Sequence, residues 1–136
     1  MSLAVETIRI FVIDDNDFMR EAIAAMLREI GFRDVFQAQD GDDALRQLEQ
    51  ANPALIICDI NMKPMDGFQF VEALRAHAWP NAASVPVIFL TSHTEPSIVK
   101  RAVRLGVEAY VVKPVEKKRL EARVLTVLEN ALTRRA

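Results

Sequence analysis

The sequence is poor in the residues that brace small extracellular or membrane-bound proteins. It holds one cysteine, Cys58, in 136 residues, so an intrachain disulfide scaffold is excluded. No apolar run approaches the roughly 18–20 residues that a membrane span needs. No basic start leads into a long apolar stretch with a small-residue cleavage site, so no secretory signal is visible. A reducing, cytoplasmic setting without membrane insertion is expected. Glycine is scarce, at four residues, and none falls into a G-x-G-x-x-G or P-loop pattern, which disfavours a nucleotide-binding protein built on a glycine cradle. No Gly/Ser linker, repeat or low-complexity segment divides the chain. Its length suits one domain with a sizeable core, expected over residues 8–132. Residues 1–7 are expected to be disordered or tag-derived, and 133–136 a tail.

Charge is present but unevenly placed. The net value of −2 conceals 15 acidic and 7 basic side chains in residues 1–99, against 4 acidic and 10 basic in residues 100–136. A solvated basic face on the last helices explains most of that division, and a docking face for an acidic partner is the sharper alternative. A pI near 5.7 argues against direct nucleic-acid binding.

The apolar pattern alternates between two periods. Short β-branched runs at 8–13, 35–38, 54–58, 85–90 and 109–112 read as strands, the first of them buried on both faces. Between them lie helical faces. Met19, Ala22, Ile23, Met26, Leu27 and Ile30 form the first and Gly31 closes it. Later faces carry Ala44, Leu45 and Leu48, then Phe70, Val71 and Leu74, then a helix over about 95–105, then Leu120, Val124, Val127, Leu128 and Ala131. Five strands alternating with five helices predict an α/β fold, a parallel sheet covered on both faces.

In such a sheet ligands bind beyond the carboxyl ends of the strands. The first strand ends at Asp14-Asp15, the third at Asp59, the fourth at Thr91 and the fifth at Lys113. The second ends at Gln39, which adds nothing. Singly, each is an ordinary cap or surface residue; together they bring three carboxylates, a hydroxyl and an ammonium to one edge. At an effective dielectric of about 20, each close carboxylate pair costs on the order of 4 kcal/mol. A proton or a cation must therefore sit among them, and an all-oxygen set suits Mg²⁺ (or Mn²⁺). Zinc is not expected, because His77 and His93 stand at no ligand spacing and read as surface histidines. A divalent cation beside a carboxylate, a lysine and a hydroxyl is a layout for phosphoryl transfer, with an aspartate as nucleophile.

These residues resemble the receiver domain of two-component response regulators, over about Ile8 to Leu132. The likeness is carried by Asp14-Asp15, the stretch Asp59-x-Asn61-Met62 ending in Met65-Asp66-Gly67, Thr91-Ser92, and Tyr110 with Lys113-Pro114. It leans toward the single-domain, chemotaxis-regulator type. The resemblance implies a flavodoxin-like sheet of order 2-1-3-4-5. It also implies that Asp59 accepts a phosphoryl group from a histidine kinase or histidine phosphotransfer protein. Asp15 would ligate Mg²⁺ directly, Asp14 through water and Asn61 through its backbone carbonyl. Lys113 would pair with the phosphoryl group, Thr91 would hydrogen-bond it, and Tyr110 would follow Thr91 as the switch aromatic. The face made by the fourth helix, fifth strand and fifth helix would then meet an output protein. Such a domain is a signalling switch that catalyses only its own phosphorylation and dephosphorylation, as a monomer or a weak phosphorylation-dependent dimer. Asn61 and His93 stand where receivers tune dephosphorylation rate, and the Lys113-Pro114 bond is expected to be cis.

Three departures stand out, one of them the variable position held by His93. The usual Met-Pro after the phosphoacceptor reads Met62-Lys63-Pro64, with proline one position late. Ser92 follows Thr91, a small residue where the phosphoryl group needs space. Two other classes compete. A haloacid-dehalogenase-type phosphohydrolase wants a second aspartate two residues after the nucleophile, and Asn61 stands there instead. A phosphorylation-independent interaction module would lack one of the acidic residues or the lysine, and all are present.

Overall fold

In the computed structural model, which describes residues 3–135, five strands and five α-helices alternate. They are β1 (Arg9–Ile13), α1 (Asp17–Ile30), β2 (Asp34–Ala38), α2 (Gly41–Ala51), β3 (Leu55–Asp59), α3 (Gly67–Arg75), β4 (Val87–Thr91), α4 (Pro96–Arg104), β5 (Ala109–Val112) and α5 (Lys117–Arg135). All strand pairs are parallel, in the order β2-β1-β3-β4-β5. The chain thus leaves β1 for β2 on one side and returns to β3 on the other. The crevice at that reversal is where an open α/β sheet accepts a ligand.

The strict alternation of side chains along each strand sorts the core into two layers. Phe11, Ile13, Ile56, Cys58, Val87 and Phe89 face α2, α3 and α4, where they meet Leu48, Phe70, Leu74 and Ala102. Ile10, Val12, Leu55, Ile57, Ile88 and Leu90 face α1 and α5, where Ile23, Leu27, Leu120 and Val124 cover them. Each such fully buried aliphatic or aromatic side chain contributes about 1.5–3 kcal/mol relative to exposure. The central strands β3 and β4 are buried throughout, whereas β2 and β5 at the edges are only partly covered.

Local chemistry sets the boundaries. Asn16 caps α1 by accepting from the Met19 N–H, Asp40 caps α2 from Asp43, and Asp66 forms a reciprocal capping box with Gln69 at α3. Gly31 ends α1 at φ 129°, where its N–H reaches back to the Leu27 and Arg28 carbonyls.

The structure differs from the sequence reading at several points. β4 begins at Val87 rather than Val85, because Pro86 has no N–H for the ladder, although its carbonyl still accepts from Ile56. The start of the chain, expected to be disordered over 1–7, is a short 3-10 turn at Val5–Thr7, with Leu3, Val5 and Ile8 packed on the core; residues 1–2 lie outside the described residues. α5 runs on to Arg135, through most of the expected tail. His77 is half-buried and its Nδ1 accepts from the N–H of the buried Trp79 at 3.0 Å, so it braces the α3–β4 connection rather than facing water.

Candidate functional site

Sheet register brings the acids together. Ile13 pairs with Cys58, so the next residues, Asp14 and Asp59, leave β1 and β3 at the same level. One carboxylate oxygen from each of Asp14, Asp15 and Asp59 lies within 4.8 Å of the others. Asp14 is fully buried, Asp59 is 3% exposed, and Asp15 stands out in solvent. Gly67 closes the floor: a Cβ there would lie 2.7 Å from the Asp59 carbonyl oxygen, so only glycine permits this approach of α3 to the end of β3.

Lys113 enters from the fifth strand, its N–H held by the Thr91 carbonyl at 2.8 Å. Its Nζ comes to 2.9 Å from Asp59 Oδ1. The approach is an ion pair outside good hydrogen-bond angles, and Asp59 Oδ1 and Asp14 Oδ2 are both buried without a hydrogen-bond donor. Burial pushes the carboxyls of Asp14 and Asp59 above their ordinary range. The neighbouring acids add to the rise, while Lys113 and, for Asp14, the Asn16 N–H oppose it. A buried Asp14 oxygen with no donor, beside Asp15 and an Asp59 carboxylate that has Lys113 alone as counter-ion, leaves three acids short of positive charge. They suit a hard divalent cation, which takes oxygen ligands and supplies the missing positive charge. Cys58, by contrast, is buried and its thiol is held well above the usual range by burial first and then by the adjacent acids, so it stays protonated.

The remaining expected residues surround this centre. Asn61 lies exposed in the β3–α3 loop, two residues past Asp59. Thr91 is 2% exposed, and its hydroxyl is engaged away from Asp59: Oγ1 donates to the His93 carbonyl and accepts the His93 N–H, both at 2.9 Å. The His93 side chain turns outward, its Nδ1 3.4 Å from Glu95 Oε1. Tyr110 is 39% exposed, beside a small apolar void bounded by Ile60, Phe89, Thr91 and Ala102. Lys113-Pro114 is cis, and so is Lys63-Pro64.

Two contacts escape the sequence reading. Arg20 donates to the Asp14 carbonyl at 2.9 Å and to Gln37 Oε1 at 3.1 Å, so β2, which its end residue Gln39 had excluded, does support the site. The Lys63 N–H donates to Asp15 Oδ2 at 3.2 Å. Phe18, three residues past Asp15 in the chain and 83% exposed, falls outside the apolar face of α1.

Against this geometry, residues 10–125 match the family model of the response regulator receiver domain. The chain belongs to that receiver family. It is 31% identical over 127 residues to a probable chemotaxis protein CheY of Rhizobium etli, covering 93% of this chain and 96% of that protein. It is 36% identical over 122 residues to the probable transcriptional regulator ycf27 of Porphyridium aerugineum, and there it spans 90% of itself but 48% of the relative. The chain therefore spans about half the length of that longer regulator and nearly all of the chemotaxis protein. Among solved structures, CheY4 of Vibrio cholerae superimposes with a TM-score of 0.82 at 29% identity, covering 88% of this chain and 98% of that one. This receiver serves two-component signalling, a switch of the kind that pairs with histidine kinases and output domains. Its sheet order and helix count are those of the receiver fold. No helix among the described residues is long and apolar enough to cross a membrane.

Proposed function

We propose that Asp59 is the phosphoacceptor of this receiver. The observation that carries the reading is the meeting of Asp59 with Lys113 at 2.9 Å and with Asp14 and Asp15 at the carboxyl edge of the sheet. An Asp59 carboxylate oxygen attacks the phosphorus of a phosphohistidine on a kinase or phosphotransfer protein in the cytoplasm, the P–N bond breaks, and the imidazole leaves. Asp14, Asp15, Asp59 and the Asn61 carbonyl would hold Mg²⁺ (Mn²⁺ also fits), which supplies charge neutralisation for the transferring phosphoryl oxygens. Lys113 is already poised at Asp59 and supplies a second positive charge without reorganisation.

The switch starts from Thr91. To donate to a phosphoryl oxygen its hydroxyl must give up the bond it donates to the His93 carbonyl, which loosens the β4–α4 loop. Tyr110 already borders the small apolar gap beside Thr91, and its turning inward as the loop shifts would reshape the surface of α4, β5 and α5. That surface carries Lys100, Arg104, Arg119 and Arg123, all exposed, which favours an acidic output partner over self-association of like-charged faces. His93 and Asn61, two residues past Thr91 and Asp59 in the chain, are the positions that would set how fast water removes the group.

Acetyl phosphate with Mg²⁺, read by intact mass, tests the reading. Wild type should gain one phosphoryl mass that Asp59→Asn does not. Phosphate release without an adduct would replace this reading with a hydrolase, and neither signal would leave an interaction module.

A further inference from the structure

The hydrogen bond from Lys63 to Asp15 is the bond by which the β3–α3 loop reaches the loop after β1, 48 residues earlier. It exists because of a displacement in the sequence. Receivers that carry Met-Pro in this loop have proline at the position of Lys63, and proline has no N–H to give. Here proline stands at 64, and the amide at 63 is free to donate. Among the described residues this is the side-chain hydrogen bond that Asp15 accepts. Without it an exposed carboxylate would rotate freely and lose that freedom on ligating a metal. A carboxylate held by one oxygen keeps the other for a cation. Hydrogen bonds to ligating carboxylates are also a general means of fixing ligand orientation and strengthening affinity.

We infer that Lys63 is a positioning residue, its backbone amide holding Asp15 ready for the divalent cation. The role belongs to the amide and not to the side-chain ammonium, which is exposed. The inference rests on the reading of Asp14, Asp15 and Asp59 as the metal site.

The test is a calorimetric Mg²⁺ titration of the unphosphorylated protein, comparing wild type, Lys63→Ala, and the exchange Lys63→Pro with Pro64→Lys. The exchange keeps composition, charge and length and removes the amide. It should weaken Mg²⁺ binding on the order of tenfold, while Lys63→Ala stays within about twofold of wild type because its N–H remains. An unchanged affinity in the exchange variant, or an equal loss in Lys63→Ala, overturns the inference alone. Wild type that binds no Mg²⁺ overturns the metal-site reading with it. If the exchange variant does not fold, hydrogen exchange in wild type decides. The Lys63 amide should exchange more slowly than its sequence dictates and be released by Asp15→Ala, and an unprotected amide in wild type overturns the inference.

Discussion

The two halves of the carboxyl edge are built differently. On the side of β1 and β3, the acids are set by strands buried on both faces, and the adjoining helices α1, α2 and α3 each start from a side-chain cap. On the side of β4 and β5, α4 starts at Glu95 with no side-chain cap and buries Ala102 alone, and β5 is a partly exposed edge. Local stability follows burial and satisfied backbone groups. The first half is therefore preorganised for charge, and the second is the less firmly held part, where the proposed exchange of partners by Thr91 would act. A receiver needs both: chemistry that does not wait for rearrangement, and a surface that does rearrange.

Lys113 joins the halves, so its loss should give the largest effect. Lys113→Ala should slow phosphorylation by acetyl phosphate on the order of 100-fold. It also leaves Asp59 without its counter-ion, so the Asp59 carboxyl should titrate still higher, a shift that carbon-13 NMR of the carboxyl would follow. Phosphorylation within about twofold of wild type would show that Lys113 belongs to the switch half only.

The acidic half can be tested through pH. Asp14 and Asp59 titrate above the ordinary aspartate range in the folded chain. Between the unfolded and the folded pKa the native state then binds more protons than the unfolded one, so stability falls as pH rises through that window. Above the folded pKa the cost is fully present. Asp14→Asn keeps an oxygen for the Asn16 N–H and puts an amide where the undonated Oδ2 lies. It should stabilise the metal-free protein by about 1–3 kcal/mol at pH 7, an advantage that fades below the unfolded value near pH 4. Urea unfolding at several pH values reads this, and an advantage that does not change with pH would mean that packing, not charge, is responsible. Excess Mg²⁺ should narrow the gap by stabilising wild type more.

These comparisons also show how much was legible beforehand. The periods that built the two core layers were in the sequence, because burial selects side chains and side chains are what a sequence spells. Asp14, Asp15, Asp59, Thr91 and Lys113 were legible for the same reason, as polar residues where an apolar strand stops. Backbone partners were not. The Lys63 amide acting on Asp15, and the Thr91 hydroxyl tied to the His93 backbone, depend on loop paths that no side-chain pattern encodes. Arg20 was hidden by its neighbours, since its bonds to Asp14 and Gln37 need β1 and β2 side by side. Pro86 and His77 were misjudged because one lacks a donor and the other supplies an acceptor, and neither shows in hydropathy.

The smallest predicted effect asks whether the looseness of α4 comes from its missing cap. Glu95→Ser gives the first turn a side chain able to accept from a free N–H behind Pro96, worth about 0.5–1 kcal/mol. Amides of Ile98 and Val99 should then exchange a few-fold more slowly, with little change in global unfolding, because α4 opens without the rest of the domain. The same variant loses the contact between Glu95 and His93, an exposed pair worth little by itself. Slower exchange would locate the mobility at the helix start. Unchanged exchange would locate it in the shallow burial of α4, where Ala102 is the one buried residue.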